Sequence, residues 1–558
     1  MKISGFFNGH DCSFCILEDG VPIIHAEYER YLRLKEPDGD SYGMLLDIVK
    51  DIDDIDYFVV AGAAGSKNIF SHKEEWKSSY PDRVGRKAPD LTKHFTTPEV
   101  KPLLAWQDGE ILQVGHHKSH AANAFFSSNF DKSLVITMDG GGREESSESN
   151  PVGNPTFNTI WYGDGTKINP MDMGFNQPSS KSIGQIWSRY TKNIFGLSVG
   201  YPYGHSAGTV MAMAAFGDRN RYINHMKRDI WDWGKINNEI NKMSESDAES
   251  AKFDVAASLQ HWTEIEIKNK VERGIKLYEE NTGEKPEYLS LAGGVSLNSV
   301  VVGKMYDWFD FKDIYVTVTP HDGGIPIGAC QYLYHHVLGN PRVTWKDNLS
   351  PYLGELYSRY DVQQALKDNE DKIEVSDAND DLVVNLLMEQ NIVSVFGAGS
   401  ESGRRALGNR SILADPRSST MKETINEKVK HRQWFRPFAP SILREEVKNW
   451  FEKDVNSPYM TAVIKFKEDA KSNVPAVVHH DGTARLQTVT ENDNKWYYNL
   501  IKKFKEKTDV PILLNTSFND REPIVENPEH AINCFLGTNI DYLYFYEFGI
   551  LVSRKRSI

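Results

Sequence analysis

The sequence predicts an α/β protein with more than one domain. Its 558 residues exceed the size at which a single hydrophobic core usually stops growing. Short apolar runs at residues 134–138 and 314–318 end in glycine-rich turns, a pattern typical of buried strands. Residues 255–278 instead place apolar side chains at helical spacing. Strands and helices that alternate in this way are typical of α/β folds.

Composition and charge restrict the classes of function. Apolar residues make up 40% of the chain and charged residues 25%, as in globular proteins. The formal net charge is −14 and no block of Lys and Arg is present, which disfavours long nucleic-acid duplexes as general partners. No apolar run reaches the roughly 18 residues of a membrane span, and the first residues lack a signal-peptide core. We therefore expect a cytoplasmic protein without a membrane partner.

Two histidines and two aspartates predict a metal site. His116 and His120 are four residues apart at a predicted helix start, so they share one helix face. Asp139 and Asp322 each follow a predicted strand at a glycine turn, where carboxylates reach the mouth of an α/β site. Such a donor set suits Fe(II), Mn(II) or Zn(II) better than Mg(II). The alternative is a helix-capping histidine pair beside ordinary Asp-Gly turns.

A predicted β-hairpin opens the chain. Its tip at residues 9–13 offers backbone N–H groups and short polar side chains, which suit a phosphate oxygen. His10 is the one residue of the tip that can exchange a proton near neutral pH, although a turn histidine in solvent is the alternative. Cys12 and Cys15 lie on a predicted strand, where residues three apart face opposite sides, so we expect packed thiols. The charged residues 27–35 are expected to line a cleft or a surface.

Basic and glycine-rich segments predict anion binding. Residues 403–411 and 428–436 concentrate Arg and Lys in an otherwise acidic chain, which favours a bound polyanion over the alternative of a solvated basic face. Residues 288–298 predict a strand that runs into two glycines, where a backbone can approach a nucleotide closely. Residues 199–209 are glycine-rich and precede a predicted helix, a weaker signal for an anion site.

Composition also divides the chain. We predict a first domain at residues 1–345, a linker at 346–375 and a second domain at 376–558. Residues 64–104 are polar and are expected to form an insertion or lid. Residues 143–158 are expected to form a flexible acidic loop.

Many short motifs follow one another along nearly the whole chain. They are Gly9-His10-Asp11, His116-x-x-x-His120, Asp139-Gly140, Ala292-Gly293-Gly294, Asp322-x-Gly324, Arg405-Ala406-Leu407-Gly408-Asn409-Arg410, Lys430-x-Arg432, Asp481-Gly482-Thr483-Ala484-Arg485 and Leu514-Asn515-Thr516-Ser517. In this order the motifs resemble those of the ATP-dependent O-carbamoyltransferases of nodulation factors, cephems and aminoglycosides.

This resemblance implies a fold, two reactions and a set of site residues. The N-terminal domain is expected to be of the actin-like/sugar-kinase type and the C-terminal domain YrdC-like. Carbamoyl phosphate and Mg-ATP would form carbamoyladenylate in the C-terminal domain, and an acceptor hydroxyl would take the carbamoyl group in the N-terminal domain. The resemblance implies that the metal is held by His116, His120, Asp139 and Asp322, and that His10 activates the hydroxyl. Adenylate formation would use Lys430, Arg485 and Ser517. Carbamoyl phosphate and the nucleotide would be bound by these three residues and also by Arg405, Arg432, Asn515, Gly293, Gly294 and Asn298.

Other functions remain open at this point. The acceptor could be a sugar, a natural product or a hydroxymethylated pyrimidine, as nucleotide or in DNA, which is the one route by which nucleic acid would be a partner. A threonylcarbamoyl-type tRNA modification enzyme, a hydrogenase maturation enzyme and an inactive nucleotide-binding regulator are the alternatives. A homodimer is compatible with the sequence.

Overall fold

The computed structural model describes residues 1–37, 39, 41–49, 54–62, 112–144, 155–175, 182–197, 207–228, 232–343 and 351–555. The predicted insertion at 64–104 lies outside these residues. So do positions 145–154 of the predicted acidic loop and positions 199–206 of the glycine-rich segment.

The chain divides into two compact units. The first comprises Met1–Val210, Gly217–Asn298 and Trp308–Ser350. The second comprises Met211–Phe216, Ser299–Asp307 and Pro351–Ile558. Of the segment predicted as a linker, the described part includes a helix at Arg359–Lys367 and a strand from Ile373.

Two five-stranded sheets form the framework of the first unit. The strands of the first sheet are β1 (Lys2–Phe7), β2 (Ser13–Glu18), β3 (Val21–Glu27), β4 (Tyr57–Ala61) and β5 (Leu112–Val114). The strands of the second sheet are β6 (Lys132–Arg143), β7 (Pro155–Asp164), β8 (Lys167–Asp172), β9 (Tyr288–Ala292) and β10 (Asp313–Val316).

The two sheets repeat one topology. The first has the order β3-β2-β1-β4-β5, and the second has the order β8-β7-β6-β9-β10. In each sheet the strand second in that order runs antiparallel to both neighbours, and the remaining pairs are parallel. This duplication is the arrangement expected of an actin-like/sugar-kinase-type domain, and the predicted α/β class is confirmed.

The second unit is built on one nine-stranded mixed sheet. Its strands are β11 (Ile373–Asp377), β12 (Val393–Phe396), β13 (Arg410–Ala414), β14 (Ala439–Leu443), β15 (Ala462–Lys465), β16 (Thr483–Val489), β17 (Ile512–Ser517), β18 (Tyr542–Phe545) and β19 (Ile550–Arg554). Their order is β11-β19-β18-β12-β13-β17-β14-β16-β15. The antiparallel register of β13 and β17 places Ser411 opposite Ser517, so two of the recognised motifs are adjacent in space.

Sixteen α-helices lie within the described residues. They are α1 (Tyr28–Leu32), α2 (Ser41–Ile48), α3 (His116–Phe126), α4 (Ile183–Asn193), α5 (Ala207–Met213), α6 (Ile223–Arg228), α7 (Trp233–Ile240), α8 (Glu245–Thr282), α9 (Ser299–Trp308), α10 (Ile325–Gln331), α11 (Arg359–Lys367), α12 (Asp380–Met388), α13 (Met421–Lys428), α14 (Val447–Trp450), α15 (Lys495–Thr508) and α16 (Pro528–Gly537). The helical stripe predicted at 255–278 lies inside α8, where Val255, Leu259 and Val271 are buried. None of the helices in the described part of the chain combines the length and hydropathy needed to cross a bilayer.

Local sequence explains how α3 is seated in the first unit. Gly328 of α10 lies against the Ser119 carbonyl of α3, and a Cβ at this glycine would overlap it. The two helices can therefore pack closely. Asn123 of α3 donates to the carbonyls of Thr319 and Gly324, at 3.3 Å and 3.1 Å. These bonds tie the helix to the turn that follows β10.

Strand β6 corrects one expectation. The strand was expected to end at Asp139, followed by a loop from residue 143, but β6 continues to Arg143. Its pairing with β7 shifts register between Met138 and Gly142, so Asp139 lies on a bulge rather than on a terminal turn. Gly141 takes a φ of 147° there, a conformation that favours glycine.

Cys12 and Cys15 are free and buried, which confirms the expectation of packed thiols in the hairpin, and Cys330 and Cys534 are also free and buried.

Candidate functional site

Helix α3 presents its two predicted histidines to two aspartates. His116 Nε2 lies 3.1 Å from Asp139 Oδ2, and His120 Nε2 lies 3.3 Å from Asp322 Oδ1. One donor atom from each of the four side chains falls within 4.8 Å of the other three. All four side chains are buried. We call these residues the His/Asp cluster.

Glycines shape the walls of the His/Asp cluster. A Cβ on Gly142 would overlap the His116 imidazole, so the bulge of β6 lets the ring approach Asp139. The Gly294 N–H donates to Asp139 Oδ1 at 2.9 Å, which leaves Oδ2 facing His116. Gly293 takes a φ of 88° and its N–H donates to the Pro320 carbonyl. This predicted nucleotide-binding turn therefore borders the cluster.

The ionisable groups of the His/Asp cluster shift one another's pKa values. Burial opposes protonation of His116, but the nearby charges of Asp322 and Asp139 raise its pKa to about 9. Burial dominates at His120 and lowers its pKa. Burial works against the charge of Asp139, yet the bond and charge of His116 hold the pKa of Asp139 well below its usual value. The two carboxylates thus create a negative potential in a buried pocket, which attracts a cation.

His10 lies at the edge of the His/Asp cluster. Its Nδ1 is 3.4 Å from Asp11 Oδ2 and 3.7 Å from Asp322 Oδ2. The bond to Asp11 and the charge of Asp322 raise the pKa of His10 to about 10. The side chain is 63% exposed, so a second molecule can reach the ring. Asp322 faces the cluster with Oδ1 and His10 with Oδ2.

The predicted binding residue Asn298 has a protein partner. The Asn298 side-chain amide donates to Gln260 Oε1 at 3.0 Å, and Gln260 Nε2 lies 3.3 Å from Asn298 Oδ1. His117 of α3 also has protein partners and lies outside the His/Asp cluster. Its ring nitrogens lie 2.6 Å from Thr137 Oγ1 and 2.8 Å from the Thr156 carbonyl.

The second unit brings Lys430 and Ser517 together. The Lys430 ammonium donates to Asn519 Oδ1 at 2.7 Å and to the Asn519 carbonyl at 2.8 Å. It also donates to the Ser517 carbonyl at 2.5 Å, while Ser517 Oγ donates to Asn519 Oδ1 at 2.7 Å. Lys430 is 4% exposed, so its charge is held at one position below the surface. These three protein oxygens occupy all three N–H donors of the ammonium, so in this arrangement Lys430 favours an anion through its charge and not through a further hydrogen bond.

Four guanidiniums gather in the second unit: Arg405, Arg432, Arg436 and Arg485. Burial lowers the pKa of each, and at Arg405, Arg432 and Arg485 the charges of neighbouring arginines lower it further. Across the described ranges, none of the four pairs with a carboxylate. We call these residues the guanidinium cluster. Cations that repel one another and lack acidic partners are typical of a site for a multiply charged anion.

Comparisons with known proteins identify the family of the chain. Residues 2–331 match the family model described as the carbamoyltransferase N-terminus, and residues 384–551 match the carbamoyltransferase C-terminus. The chain belongs to the carbamoyltransferase family.

Relatives cover most of this carbamoyltransferase-family chain. Nodulation protein NolNO of Sinorhizobium fredii is 32% identical over 98% of this chain and 79% of that protein. Nodulation protein NolO of Bradyrhizobium diazoefficiens is 34% identical over 79% of each chain. An uncharacterised protein of Synechocystis is 30% identical over 98% of this chain and 96% of that protein. Among solved structures, HypF of T. kodakarensis has a TM-score of 0.34 and 13% identity, covering 62% of this chain and 49% of that one.

A buried network of charged side chains lies beside His10 and was not predicted from the sequence. His321 Nε2 lies 3.4 Å from Glu27 Oε1 and 4.0 Å from Asp11 Oδ1, and Glu27 pairs with Arg30 at 3.5 Å. Glu27 and Arg30 are buried, so the expectation that residues 27–35 line a cleft or a surface is wrong for these two. A buried acid that pairs with both a cation and a histidine is stabilised in its charged form, and the pKa of Glu27 falls to about 2.

Sequence analysis also missed the residue that shapes the loop before Arg410. Glu401 Oε1 accepts from the N–H groups of Leu407, Asn409 and Arg410, at 2.8, 2.8 and 3.1 Å. The predicted binding residue Asn515 contributes to the same loop, because its amide donates to the Ala406 carbonyl at 3.1 Å. An acidic residue just before a run of arginines is the one signal that could have pointed to Glu401.

Proposed function

We propose that the chain is an ATP-dependent O-carbamoyltransferase that assigns one half-reaction to each unit. In the second unit, carbamoyl phosphate, water and ATP would give carbamoyladenylate, pyrophosphate and phosphate. In the first unit, an acceptor hydroxyl would take the carbamoyl group from the adenylate and AMP would leave. The observation that carries this proposal is the presence of the His/Asp cluster and the guanidinium cluster in one carbamoyltransferase-family chain.

Adenylate formation requires positive charge around phosphate groups. Water would first break the bond between the carbamate oxygen and the phosphorus of carbamoyl phosphate, which releases phosphate and carbamate. The carbamate oxygen would then attack the α-phosphorus of ATP, and the bond from that phosphorus to pyrophosphate would break. Negative charge then grows on the departing pyrophosphate, where Arg405, Arg485 and Lys430 are suited to hold it. The Arg485 Nε atom is buried and has no hydrogen-bond partner among the described residues, which supports a ligand at that position.

The His/Asp cluster fits a divalent transition metal. Two imidazole nitrogens and two carboxylate oxygens, all buried and mutually close, form a donor set suited to Fe(II), Mn(II) or Zn(II). Such an ion, when bound, would polarise oxygen atoms of the adenylate and so make AMP a better leaving group. The residues that would hold it are His116, His120, Asp139 and Asp322.

His10 would act as the base for the acceptor hydroxyl. Its Nδ1 faces Asp11 and Asp322, whose charges favour the protonated imidazole. With the charge of Asp322 offset by a bound cation, the pKa of His10 would fall, and Nε2 could accept a proton while Nδ1 keeps its own. The new bond would form between the acceptor oxygen and the carbamoyl carbon, while the bond from that carbon to the AMP oxygen breaks. The hydroxyl proton would pass to His10 Nε2. The acceptor we propose is a small hydroxyl compound, such as a sugar or a natural product.

The decisive experiment measures pyrophosphate released from ATP in the presence and absence of carbamoyl phosphate. We expect carbamoyl-phosphate-dependent release from the wild type and from His10→Asn, but not from Lys430→Ala. Lys428→Ala is the matched control, because this neighbouring lysine is exposed. Release that is kept in His10→Asn but lost in Lys430→Ala supports the separation of the two half-reactions. Absence of release from a wild type that binds ATP would overturn the proposal in favour of a nucleotide-binding regulator.

A further inference from the structure

We propose that Ser13 and His25 are positioning residues for Asp322. They hold this aspartate so that one carboxylate oxygen faces the histidines of the His/Asp cluster and the other faces His10. This inference rests on the proposed function. Both side chains bond the same atom, the Gly323 carbonyl oxygen, at 2.8 Å from Ser13 Oγ and 2.7 Å from His25 Nε2. Gly323 directly follows Asp322 in the chain, so fixing the peptide group between Gly323 and Gly324 restricts the backbone position of the aspartate one residue earlier.

The two bonds are protected from water. Ser13 and His25 are both buried, and so is Gly323. A carbonyl oxygen can only accept, so the His25 Nε2 atom carries the proton of this bond. Removing either donor would leave a buried carbonyl with one partner fewer, and water cannot easily replace it.

These bonds join two distant parts of the chain. Ser13 begins β2 and His25 lies on β3 of the first sheet, whereas Gly323 lies in the turn after β10 of the second sheet. The separations along the sequence are 310 and 298 residues. Ser13 is also three residues beyond His10, at the base of the same hairpin tip. The bond from Ser13 therefore helps to set the distance of 3.7 Å between His10 Nδ1 and Asp322 Oδ2.

The turn is held from its other side as well. A Cβ added to Gly323 would lie 2.9 Å from His321 Nε2 and 3.1 Å from Glu27 Oε1. The glycine therefore lets the turn pack directly against this His–Glu pair. Between the pair and the two donors, Gly323 has little room to shift.

Precise placement matters because Asp322 serves two partners at once. Its Oδ1 lies 3.3 Å from His120 Nε2, and its Oδ2 faces His10. A small displacement would move one oxygen out of the His/Asp cluster and the other away from His10. Groups that orient metal ligands commonly change metal affinity by about 10- to 100-fold when they are removed.

The test uses Co(II) as a probe of the His/Asp cluster, with its visible absorption as the readout. The variants are Ser13→Ala, His25→Leu, their combination, and His25→Gln, whose amide can still donate to Gly323. Ser133→Ala is the matched control, since this buried serine of β6 also donates to a backbone carbonyl, at Leu134, but away from the turn. Thermal unfolding of each variant shows whether the first unit is still folded.

We expect Ser13→Ala and His25→Leu each to weaken Co(II) binding by about 10-fold, with altered absorption. The double variant should be weaker than either, by up to about 100-fold, and need not show the product of the single effects because both donors share one carbonyl. His25→Gln should stay within about 3-fold of the wild type, and Ser133→Ala should match it. Equal Co(II) affinity and spectra in the wild type and the double variant would overturn the inference, as would equal losses in His25→Gln and His25→Leu. A wild type that binds no Co(II) would instead overturn the metal centre of the proposed function, and this inference with it.

Discussion

Asp322 Oδ1 lies 3.3 Å from His120 Nε2 although 202 residues separate the two positions in the sequence. The contact forms because Asn123 of α3 binds the carbonyls of Thr319 and Gly324 on either side of Asp322. The His/Asp cluster is thus a product of the whole first unit and not of a local motif. Its integrity should report on the fold of that unit.

Loss of one carboxylate should remove the response of the protein to metal. A ligand that binds only the folded state adds about 2.7 kcal/mol to the free energy of unfolding at about 100 times its Kd. We expect Mn(II) or Zn(II) to stabilise the wild type by an amount of this order, and Asp322→Asn far less. Denaturation with and without a chelator measures the difference.

Asp254→Asn is the control for this experiment. Asp254 is also largely buried in the first unit, but it pairs with Arg221 at 2.9 Å and lies outside the His/Asp cluster. The control variant should respond to metal as the wild type does. An undiminished metal response in Asp322→Asn would contradict the assignment of this residue as a ligand.

Removal of one arginine from the guanidinium cluster should make the ligand-free protein more stable. Burial lowers the pKa of Arg405, and the like charge of Arg485 lowers it further because the two cations repel each other. We expect Arg485→Gln to raise the free energy of unfolding by about 1 kcal/mol. The same variant should lose most of the additional stability that pyrophosphate gives the wild type. Thermal unfolding with and without pyrophosphate measures both effects.

Arg417→Gln is a control in the same unit, and we expect it to change stability in the opposite direction. Arg417 pairs with the buried Asp415 at 2.6 Å, so its removal leaves a carboxylate with less compensation. That variant should be less stable by about 1 to 3 kcal/mol and should keep its response to pyrophosphate. If Arg485→Gln is destabilised to the same extent, repulsion does not dominate the guanidinium cluster.

The second unit should lose stability as the pH falls from 6.5 towards 4. Burial and the charges of Arg485 and Lys422 lower the pKa of His479 from 6.5 to about 4. The stabilising contribution of neutral His479 is therefore complete above pH 6.5, the unfolded value, and is lost as the pH falls through the folded value. The loss is at most about 3 kcal/mol, since each pKa unit corresponds to about 1.4 kcal/mol.

Urea unfolding across this pH range tests the contribution of His479. His479→Gln should show a shallower loss of stability than the wild type. The matched variant His480→Gln alters an exposed neighbour and should keep the wild-type pH dependence. Parallel curves for the wild type and His479→Gln would show that another group is responsible.

The spacing of apolar and polar residues along the chain predicted those parts of the site that follow from the regular repeat of a helix or a strand. The spacing of His116 and His120 predicted that both lie on one face of α3, and the two apolar runs predicted that Asp139 and Asp322 lie beside glycines near β6 and β10, two strands of one sheet. The exact path at Asp139 escaped prediction, because three consecutive glycines indicate a turn and a β-bulge equally well. The repeated strand order of the two sheets was not predictable either, because it depends on which strands pair in three dimensions.

Residues that act through distant backbone atoms were not predictable. Ser13 and His25 alternate with apolar neighbours on a hairpin, and nothing in that pattern names a carbonyl some 300 residues away. Glu401 escaped for the same reason, since its partners are main-chain N–H groups that any sequence offers. Charge density suggested exposure for residues 27–35, whereas Glu27 and Arg30 compensate each other in the interior.

The two short segments Met211–Phe216 and Ser299–Asp307 belong to the second unit although the first unit surrounds them in the sequence. Gly303 of α9 packs so tightly on the backbone of Val463 that any side chain there would overlap its carbonyl. A gene fragment beginning at Pro351 would therefore encode a second unit that lacks pieces of itself. The gene could not be divided at that point, or its halves exchanged with those of a distant relative, without loss of this packing. The two units should therefore be inherited as one piece.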